Sequence, residues 1–187
     1  MDEPWFYAVW TLGAYLLGTV PAGHIVARAA GADIRHLGTG NPGTANVFRE
    51  VGPGPGAAVL MLDVAKGVAV TVPLYLLERP VWAVTLAAAA ALAAHFRPLI
   101  PRYPGGTGMA VGMGAAFGLL PIGALVAAPL SAVTVAATRN AGHSGGLYFA
   151  VTMIAGGLVH RDAWGVAGVL LLGAAILVRA GIQYRGR

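Results

Sequence analysis

Cysteine is absent from this 187-residue chain, and charged side chains make up only 10% of it. The lack of cysteine excludes disulfides, thiolate nucleophiles and sulfur-ligated metals. The histidines and carboxylates show no metal-binding spacing such as His-Glu-x-x-His, so neither a metal nor another cofactor is expected. Because a soluble domain carries roughly 25% charged residues, the shortage of charge argues against a soluble globular protein.

Hydrophobic residues make up 57% of the chain, and the mean hydropathy of +0.72 is typical of an integral membrane protein. The net charge of +5 comes from few loop residues with no basic patch interleaved with aromatics, which excludes a nucleic-acid partner. Asp2 and Glu3 stand where a signal peptide would be basic. The apolar run from Trp5 onward is therefore predicted to be a permanent transmembrane segment. The whole chain, residues 1–187, is predicted to form a single domain.

Seven apolar segments follow one another, and a helix needs about 20 residues to cross a bilayer. They cover residues 4–27, 55–77, 80–97, 108–120, 121–137, 144–159 and 163–178. The 108–120 segment is too short to cross unaided. Glycine and alanine dominate these segments, and small residues let helices approach closely in lipid. The predicted fold is an all-α polytopic membrane bundle of about seven transmembrane helices.

Arginines are unevenly divided between the two sets of loops. Nine lie on one side, namely Arg28, Arg35, Arg49, Arg97, Arg102, Arg139, Arg179, Arg185 and Arg187. The other side has Arg79 and Arg161, each beside an acid. By the positive-inside rule, the N-terminus lies outside, and the C-terminus and the glycine-rich loops face the cytoplasm.

One polar island, residues 33–49, interrupts the apolar chain. Its closely spaced glycines allow successive N–H groups to point inward, and its arginines supply positive charge. This composition favours a phosphate or carboxylate site over an ordinary solvated loop. Thr39 would contribute its hydroxyl, Asn41 and Asn46 their amides, and Arg35 and Arg49 their charge.

Three further patterns carry both a structural and a functional interpretation. Residues 18–23 predict a kink at Pro21, which lacks a backbone donor. Asp63 and Lys66 are three residues apart and therefore share one helix face. They are either an ion pair that fixes helix packing or part of a polar pocket. His95 precedes the glycine-rich turn 105–108, whose N–H groups can bind phosphate where a helix begins.

These motifs resemble those of the bacterial acyl-phosphate-dependent glycerol-3-phosphate acyltransferases, the PlsY family. Residues 33–49 follow the family pattern Asp-Ile-Arg-x-x-Gly-Ser-Gly-Asn-x-Gly-Ala-Thr-Asn-x-x-Arg almost position by position. Residues 18–23 are similar to Gly-Ser-x-Pro-x-Gly, and residues 63–67 to Asp-x-x-Lys-Gly. Residues 95–108 are similar to His-x-x-Pro followed by Gly-Gly-Lys-Gly. The resemblance implies a seven-helix membrane bundle with its active site towards the cytoplasm.

The chain departs from the family at several positions. Thr107 replaces the lysine of Gly-Gly-Lys, and Gly142 stands where the family has a serine. The closing His-Arg-x-Asn-Ile aligns best with residues 178–182, where Val178 and Gly181 replace the histidine and asparagine. In the family the first loop cradles acyl phosphate, while the missing groups surround the glycerol phosphate. By the resemblance, this chain keeps the donor half of the site and lacks most of the acceptor half.

The leading hypothesis is a membrane acyltransferase that moves an acyl group from acyl phosphate to glycerol 3-phosphate, forming lysophosphatidic acid for phospholipid synthesis. The expected catalytic residues are Arg35, Thr39 and Arg49. The expected substrate-binding residues are Gly38, Gly40, Asn41, Gly43, Asn46, Asp63, Lys66, His95, Gly105, Gly106, Thr107 and Gly108. The expected location is the inner membrane, with membrane lipids as surroundings.

Two alternatives remain beside it. The missing acceptor-side residues favour a degenerate homologue that binds acyl phosphate or lipid headgroups without turnover, or that uses another acceptor. Arg97, Arg102 or Arg139 would compensate for the missing lysine if the enzyme reading holds. A transporter has little support, because the seven segments show no internal repeat.

Overall fold

The computed structural model describes residues 3–185, apart from the side chain of Tyr184. Asp2 and Arg187, used above for the signal-peptide and orientation predictions, lie outside the described residues. The helices in the described part are α1 (Pro4–Gly18), α2 (Ala22–Ala29), α3 (Thr44–Glu50), α4 (Pro53–Leu76), α5 (Val81–Phe96), α6 (Met109–Leu119), α7 (Pro121–Thr138), α8 (Ala141–His160) and α9 (Ala163–Arg185). A 3-10 turn spans Ile34–His36. No β-strand occurs between residues 3 and 185, and the all-α prediction is confirmed.

The first apolar segment, predicted as one helix over 4–27, is divided into α1 and α2 at residues 19–21. The break falls at Pro21, which has no N–H to continue the helical hydrogen bonds. Each of the other six segments overlaps one of the helices α4 to α9. The number of membrane crossings and their direction remain predictions.

Four stretches are long and apolar enough to span a membrane, judged by length and composition over the described residues. They are Pro4–Ala29, Pro53–Leu76, Pro121–Thr138 and Ala163–Gln183. The apolar helices α5 and α6 are shorter. Large apolar side chains such as Met61, Leu158 and Leu177 are more than 70% exposed on the outside of the bundle. An apolar outer surface of this kind suits contact with lipid.

Small residues bring the central helices α4 and α6 together. A Cβ added to Gly67 would collide with the backbone of Val111 and Ala115, and one added to Gly114 would collide with the carbonyl of Val64. Between α7 and α8, the hydroxyls of Ser131 and Ser144 lie 2.7 Å apart and are buried. Close backbone approach and polar contacts between helices are the ways membrane bundles gain stability without a hydrophobic driving force.

The polar island is folded rather than open. Although the sequence reads as a loop, residues 44–50 form the short helix α3, because Val47 is fully buried with Ala27, Ile34 and Val59 in a small second core. This core fixes the island against α2 and α4. The glycine-rich residues between the 3-10 turn and α3 are thus held from both sides.

Candidate active site

The first glycine-rich loop, residues 37–43, depends on two left-handed glycines, Gly38 at φ +52° and Gly40 at φ +67°. Side chains other than glycine rarely adopt these angles. Asn46 is buried, and its Oδ1 accepts from the N–H of Thr39 at 3.0 Å while its Nδ2 donates to the carbonyl of Leu37 at 3.0 Å. Both ends of the Asn46 amide therefore shape the loop. Its contact with any phosphate would be indirect.

Asn41 also has both ends of its amide engaged. Its Oδ1 accepts from the N–H of Gly43 at 2.8 Å, and its Nδ2 donates to Oε1 of Gln183 at 3.0 Å. Within residues 3–185, the N–H groups of Gly38 and Asn41 have no hydrogen-bond partner. The donors that the first loop offers to an anion are thus mainly main-chain N–H groups and the exposed Thr39.

Arg35 is paired within its own turn. Its Nε donates to Oδ1 of Asp33 at 2.8 Å, and its Nη2 lies 2.5 Å from Oδ2. The Arg35 guanidinium holds the pKa of Asp33 well below its ordinary range, and Asp33 raises the pKa of Arg35 in turn. The two charges are therefore balanced before any ligand arrives.

Arg49 and Glu50 follow at the end of α3. Arg49 is exposed and, in the described part of the chain, makes neither a hydrogen bond nor an ion pair. Glu50 reaches back to the loop, since a Cβ on Gly38 would lie 2.5 Å from its Oε1. Arg49 therefore carries a charge that no group in the described part of the chain neutralises, whereas Glu50 places a carboxylate against the first loop and opposes an anion there.

A buried polar cluster lies beneath the kink between α1 and α2. Nζ of Lys66 donates to Oδ1 of Asp63 and to the carbonyl of Val20, each at 2.7 Å. Nδ1 of His95 is 4.0 Å from the same Asp63 oxygen. The Asp63–Lys66 pair therefore ties α4 to the kink and also stands next to His95.

The second glycine-rich loop, residues 104–108, packs directly on His95. A Cβ on Gly105 would collide with the carbonyl of His95, and one on Gly106 would lie 2.8 Å from its Nε2. Gly108 has φ +79° and immediately precedes α6. Within the described residues, the N–H groups of Gly105, Gly106 and Thr107 have no partner. This loop can therefore present several donors in front of His95.

The first loop, through Pro42, meets the second loop at one narrow cleft of about 10 Å³. It is lined by Pro21, Ala22, Gly23, His24, Pro42, His95, Pro98, Pro104, Gly105 and Gly106. Of the predicted site residues, the structure brings His95, Gly105 and Gly106 to this cleft, with Asn41 close by. Arg35, Thr39, Arg49 and Thr107 are not among its walls. Arg97, Arg102 and Arg139 are exposed and do not line it either.

Four further residues hold this site, and sequence reasoning did not assign them to it. In α2, His24 Nε2 lies 3.0 Å from the carbonyl of Pro104, and Arg28 donates to the hydroxyl of Tyr103 at 3.0 Å. In α9, Arg179 donates to the carbonyl of Phe96 at 3.0 Å, and Gln183 to that of Gly105 at 3.0 Å. Polar residues within an otherwise apolar helix were the available signal.

The face of α9 that reaches the loops includes Arg179, the position aligned with the arginine of the family's closing His-Arg-x-Asn-Ile. Arg179 and Gln183, four residues apart and hence on one face, make the contacts. Val178 and Gly181, the positions aligned with the family's histidine and asparagine, are exposed. The described contacts between α9 and the loops therefore come from Arg179 and Gln183, and not from the two positions that depart from the family pattern.

Comparison with known proteins gives a consistent family match. The family model described as "Glycerol-3-phosphate acyltransferase" matches residues 8–185. A glycerol-3-phosphate acyltransferase from Thermus thermophilus is 38% identical over 173 residues, covering 90% of this chain and 85% of that protein. One from Rubrobacter xylanophilus is 42% identical over 107 residues, covering 57% of this chain. The latter match spans about half, 54%, of the relative's own length.

A solved structure shares the fold. The crystal structure of PlsY (YgiH), an integral membrane glycerol 3-phosphate acyltransferase in its glycerol 3-phosphate form, superposes with a TM-score of 0.83. The two are 24% identical, and the alignment covers 96% of this chain and 90% of that chain. The all-α bundle described above is therefore the fold of an integral membrane protein.

Proposed function

The chain belongs to the glycerol-3-phosphate acyltransferase family, and we propose that it transfers a fatty acyl group from acyl phosphate to glycerol 3-phosphate in phospholipid synthesis. A hydroxyl oxygen of glycerol 3-phosphate bonds to the acyl carbon, and the bond from that carbon to the phosphate oxygen breaks. The hydroxyl proton leaves with the phosphate or passes to water. The products are lysophosphatidic acid and inorganic phosphate.

The observation that carries this proposal is that two glycine-rich loops meet at one cleft, lined by Pro42 of the first and by Gly105 and Gly106 of the second. Within the described residues, each loop also has N–H groups without a protein partner. Both substrates carry phosphate, and N–H groups fixed in loops bind phosphate without reorganising. Acyl phosphate is already activated, so the reaction requires alignment of the two substrates and stabilisation of the charge that develops on oxygen. No nucleophilic side chain is needed for that chemistry.

On the donor side, the first loop would hold the acyl phosphate. Its contributors would be the N–H groups of Gly38 and Asn41, the Thr39 hydroxyl and the guanidinium of Arg49. Arg35 would act chiefly by fixing the turn through Asp33, because its charge is already balanced. Asn46 would keep the loop open by holding the main chain of residues 37–39.

On the acceptor side, His95 and the second loop would receive glycerol 3-phosphate. Thr107 is half-buried, and its hydroxyl has no hydrogen-bond partner in the described part of the chain, so it can donate to a phosphate oxygen. Arg97 and Arg102 lie on the exposed segment that leads to this loop. They would supply the positive charge that Thr107 lacks.

We place the site at the cytoplasmic face of the inner membrane. The arginines at the loop end of the bundle support this orientation, since Arg28 and Arg179 contact the segments around the second loop. Arg79 lies with His160 and Asp162 around a different cavity.

The test of this orientation is cysteine labelling, in which the described residues contribute no native cysteine. His36→Cys should react only from the cytoplasm and Trp164→Cys only from outside; the reverse pattern would overturn the orientation.

A binding protein without turnover is the second candidate. The carboxylate of Glu50 against Gly38 and the neutralised Arg35 both weaken the donor loop as a site for transition-state charge. This candidate predicts saturable acyl-phosphate binding with no products.

The deciding experiment measures phosphate release from acyl phosphate by the purified protein, with and without glycerol 3-phosphate, and lysophosphatidic acid by mass spectrometry. We expect both products to appear together and only when glycerol 3-phosphate is present. The matched control is Leu177→Ala on the exposed outer face of α9, which should behave as wild type. Equal phosphate release with and without glycerol 3-phosphate would contradict the proposed acceptor. Saturable binding of acyl phosphate without phosphate release would favour the second candidate.

A further inference from the structure

The last turns of α9 approach both glycine-rich loops at once. Gln183 is half-buried, and its Nε2 donates to the carbonyl of Gly105 while its Oε1 accepts from Nδ2 of Asn41, both at 3.0 Å. The amide group of Gln183 thus contacts the second loop through its nitrogen and the first loop through its oxygen. A single side chain therefore connects the first loop to the second.

The connection continues into the first loop. Asn41 accepts from the N–H of Gly43 at 2.8 Å through the amide oxygen that Gln183 leaves free. An unbroken series of hydrogen bonds thus runs from the main chain of Gly43, through Asn41 and Gln183, to the main chain of Gly105. Between residues 37–46 and 104–108, the described part of the chain contains no other hydrogen-bonded link.

The link is also anchored on the α9 side. One turn earlier on the same face, Arg179 donates to the carbonyls of Phe96 at 3.0 Å and of Gly105 at 3.3 Å. Its guanidinium lies 5.9 Å from the ring centre of Phe96. Arg179 therefore fixes α9 to the end of α5 and to the second loop, and Gln183 is the residue that extends the contact to the first loop.

We propose that Gln183 is a positioning residue that sets the separation of the two loops and thereby aligns acyl phosphate with its acceptor. The proposal rests on the proposed function. In this role Gln183 acts through its hydrogen bonds to Asn41 and Gly105 and not through contact with a substrate. Alignment errors of about 1 Å reduce rates by up to roughly 100-fold, so a residue that fixes the spacing should act mainly on kcat.

The first measurement follows the loop spacing directly and needs no turnover. Spin labels at His36→Cys and Ile100→Cys, both exposed, report the distance between the two loop regions in the otherwise cysteine-free chain. Gln183→Ala should broaden this distance distribution, because it removes both hydrogen bonds. Ile182→Ala, the neighbouring exposed residue on α9, is the matched control and should leave the distribution as in wild type.

The second measurement separates positioning from simple structural support. Gln183→Ala should lower kcat by roughly 10- to 100-fold while the KM for acyl phosphate changes less than about threefold. Gln183→Glu keeps an oxygen for Asn41 and loses the donor to Gly105, so it should fall between wild type and Gln183→Ala. Asn41→Ala combined with Gln183→Ala should lose little more than the worse single variant, because both belong to one linkage.

The outcomes distinguish this proposal from the proposed function. A wild type without transfer would contradict the proposed function, and the label distances would then decide alone whether Gln183 holds the loops together. An unbroadened distribution in folded Gln183→Ala would overturn the proposal. So would a broadened distribution with unchanged kcat in an active wild type, since the spacing would then not govern the reaction.

Discussion

Lys66 donates to the carbonyl oxygen of Val20 at 2.7 Å, so a buried ammonium group on α4 binds the main chain at the break between α1 and α2. The same carbonyl accepts from the N–H of Ala22 at 3.0 Å, so a main-chain donor and a side-chain donor together satisfy it, as helix breaks in a bilayer require. The same Nζ is paired with Asp63. The kink, the ion pair and the adjacent His95 therefore form one structural unit beneath the cleft.

Removal of Lys66 should destabilise the bundle strongly. Lys66→Met leaves the Asp63 charge buried without its partner, which typically costs about 3–5 kcal/mol. Thermal unfolding in detergent should show a clear drop in the midpoint. The double variant Asp63→Asn with Lys66→Met buries no lone charge and should recover part of the loss. Equal midpoints for the single variant and wild type would contradict the role assigned to this pair.

The sequence predicted the apolar segments, the kink at Pro21 and the pairing of Asp63 with Lys66, because each depends on residues close together in the chain. The role of Gln183 was missed because its partner Asn41 lies 142 positions away, and only the packing of α9 brings them together. Asn46 was predicted to bind phosphate through its amide. In the structure, the Asn46 amide instead forms hydrogen bonds with the main chain of Leu37 and Thr39. These bonds depend on how α3 packs against α2 and α4, and the local sequence pattern does not specify that packing.

Gly38 should be intolerant of alanine for functional as well as conformational reasons. Its φ is +52°, and an added Cβ would meet Asn46 Oδ1 at 2.6 Å as well as Glu50. Gly31 offers a matched control, since its φ is +78° but nothing lies within 4 Å of an added Cβ. Both substitutions carry the left-handed strain of about 1–2 kcal/mol. Acyl-phosphate affinity should fall roughly 10-fold or more in Gly38→Ala alone; equal affinities in the two variants would argue against the first loop as the donor site.

Protonation of Asp33 should destabilise the turn that contains it, and this should happen only in strongly acidic solution. The Asp33 pKa is lowered from an ordinary value of 3.8 because Arg35 donates to its carboxylate. A lowered folded-state pKa means that the stabilisation is complete above 3.8 and is lost as pH falls from there towards the lowered value. Thermal midpoints recorded between pH 5 and pH 2 should therefore fall less steeply in Asp33→Asn than in wild type. Equally steep losses of the midpoint in the two proteins between pH 5 and pH 2 would contradict a stabilising ion pair between Asp33 and Arg35.

Thr107 provides the sharpest test of the acceptor side. A lysine carries a full positive charge and three donors, whereas Thr107 offers one neutral hydroxyl. A charge-assisted hydrogen bond contributes about 1.5–3 kcal/mol, so Thr107→Lys should lower the KM for glycerol 3-phosphate by roughly 10- to 100-fold. Ile100→Lys adds the same charge at an exposed position outside the second loop and should have little effect.

If the wild type transfers no acyl group, we expect Thr107→Lys alone not to restore transfer, because Val178 and Gly181 lack the groups that the family places there. A wild type with tight glycerol 3-phosphate use, undisturbed when Arg97, Arg102 and Arg139 are each replaced by alanine, would show that the acceptor phosphate is held by other residues than those around Thr107.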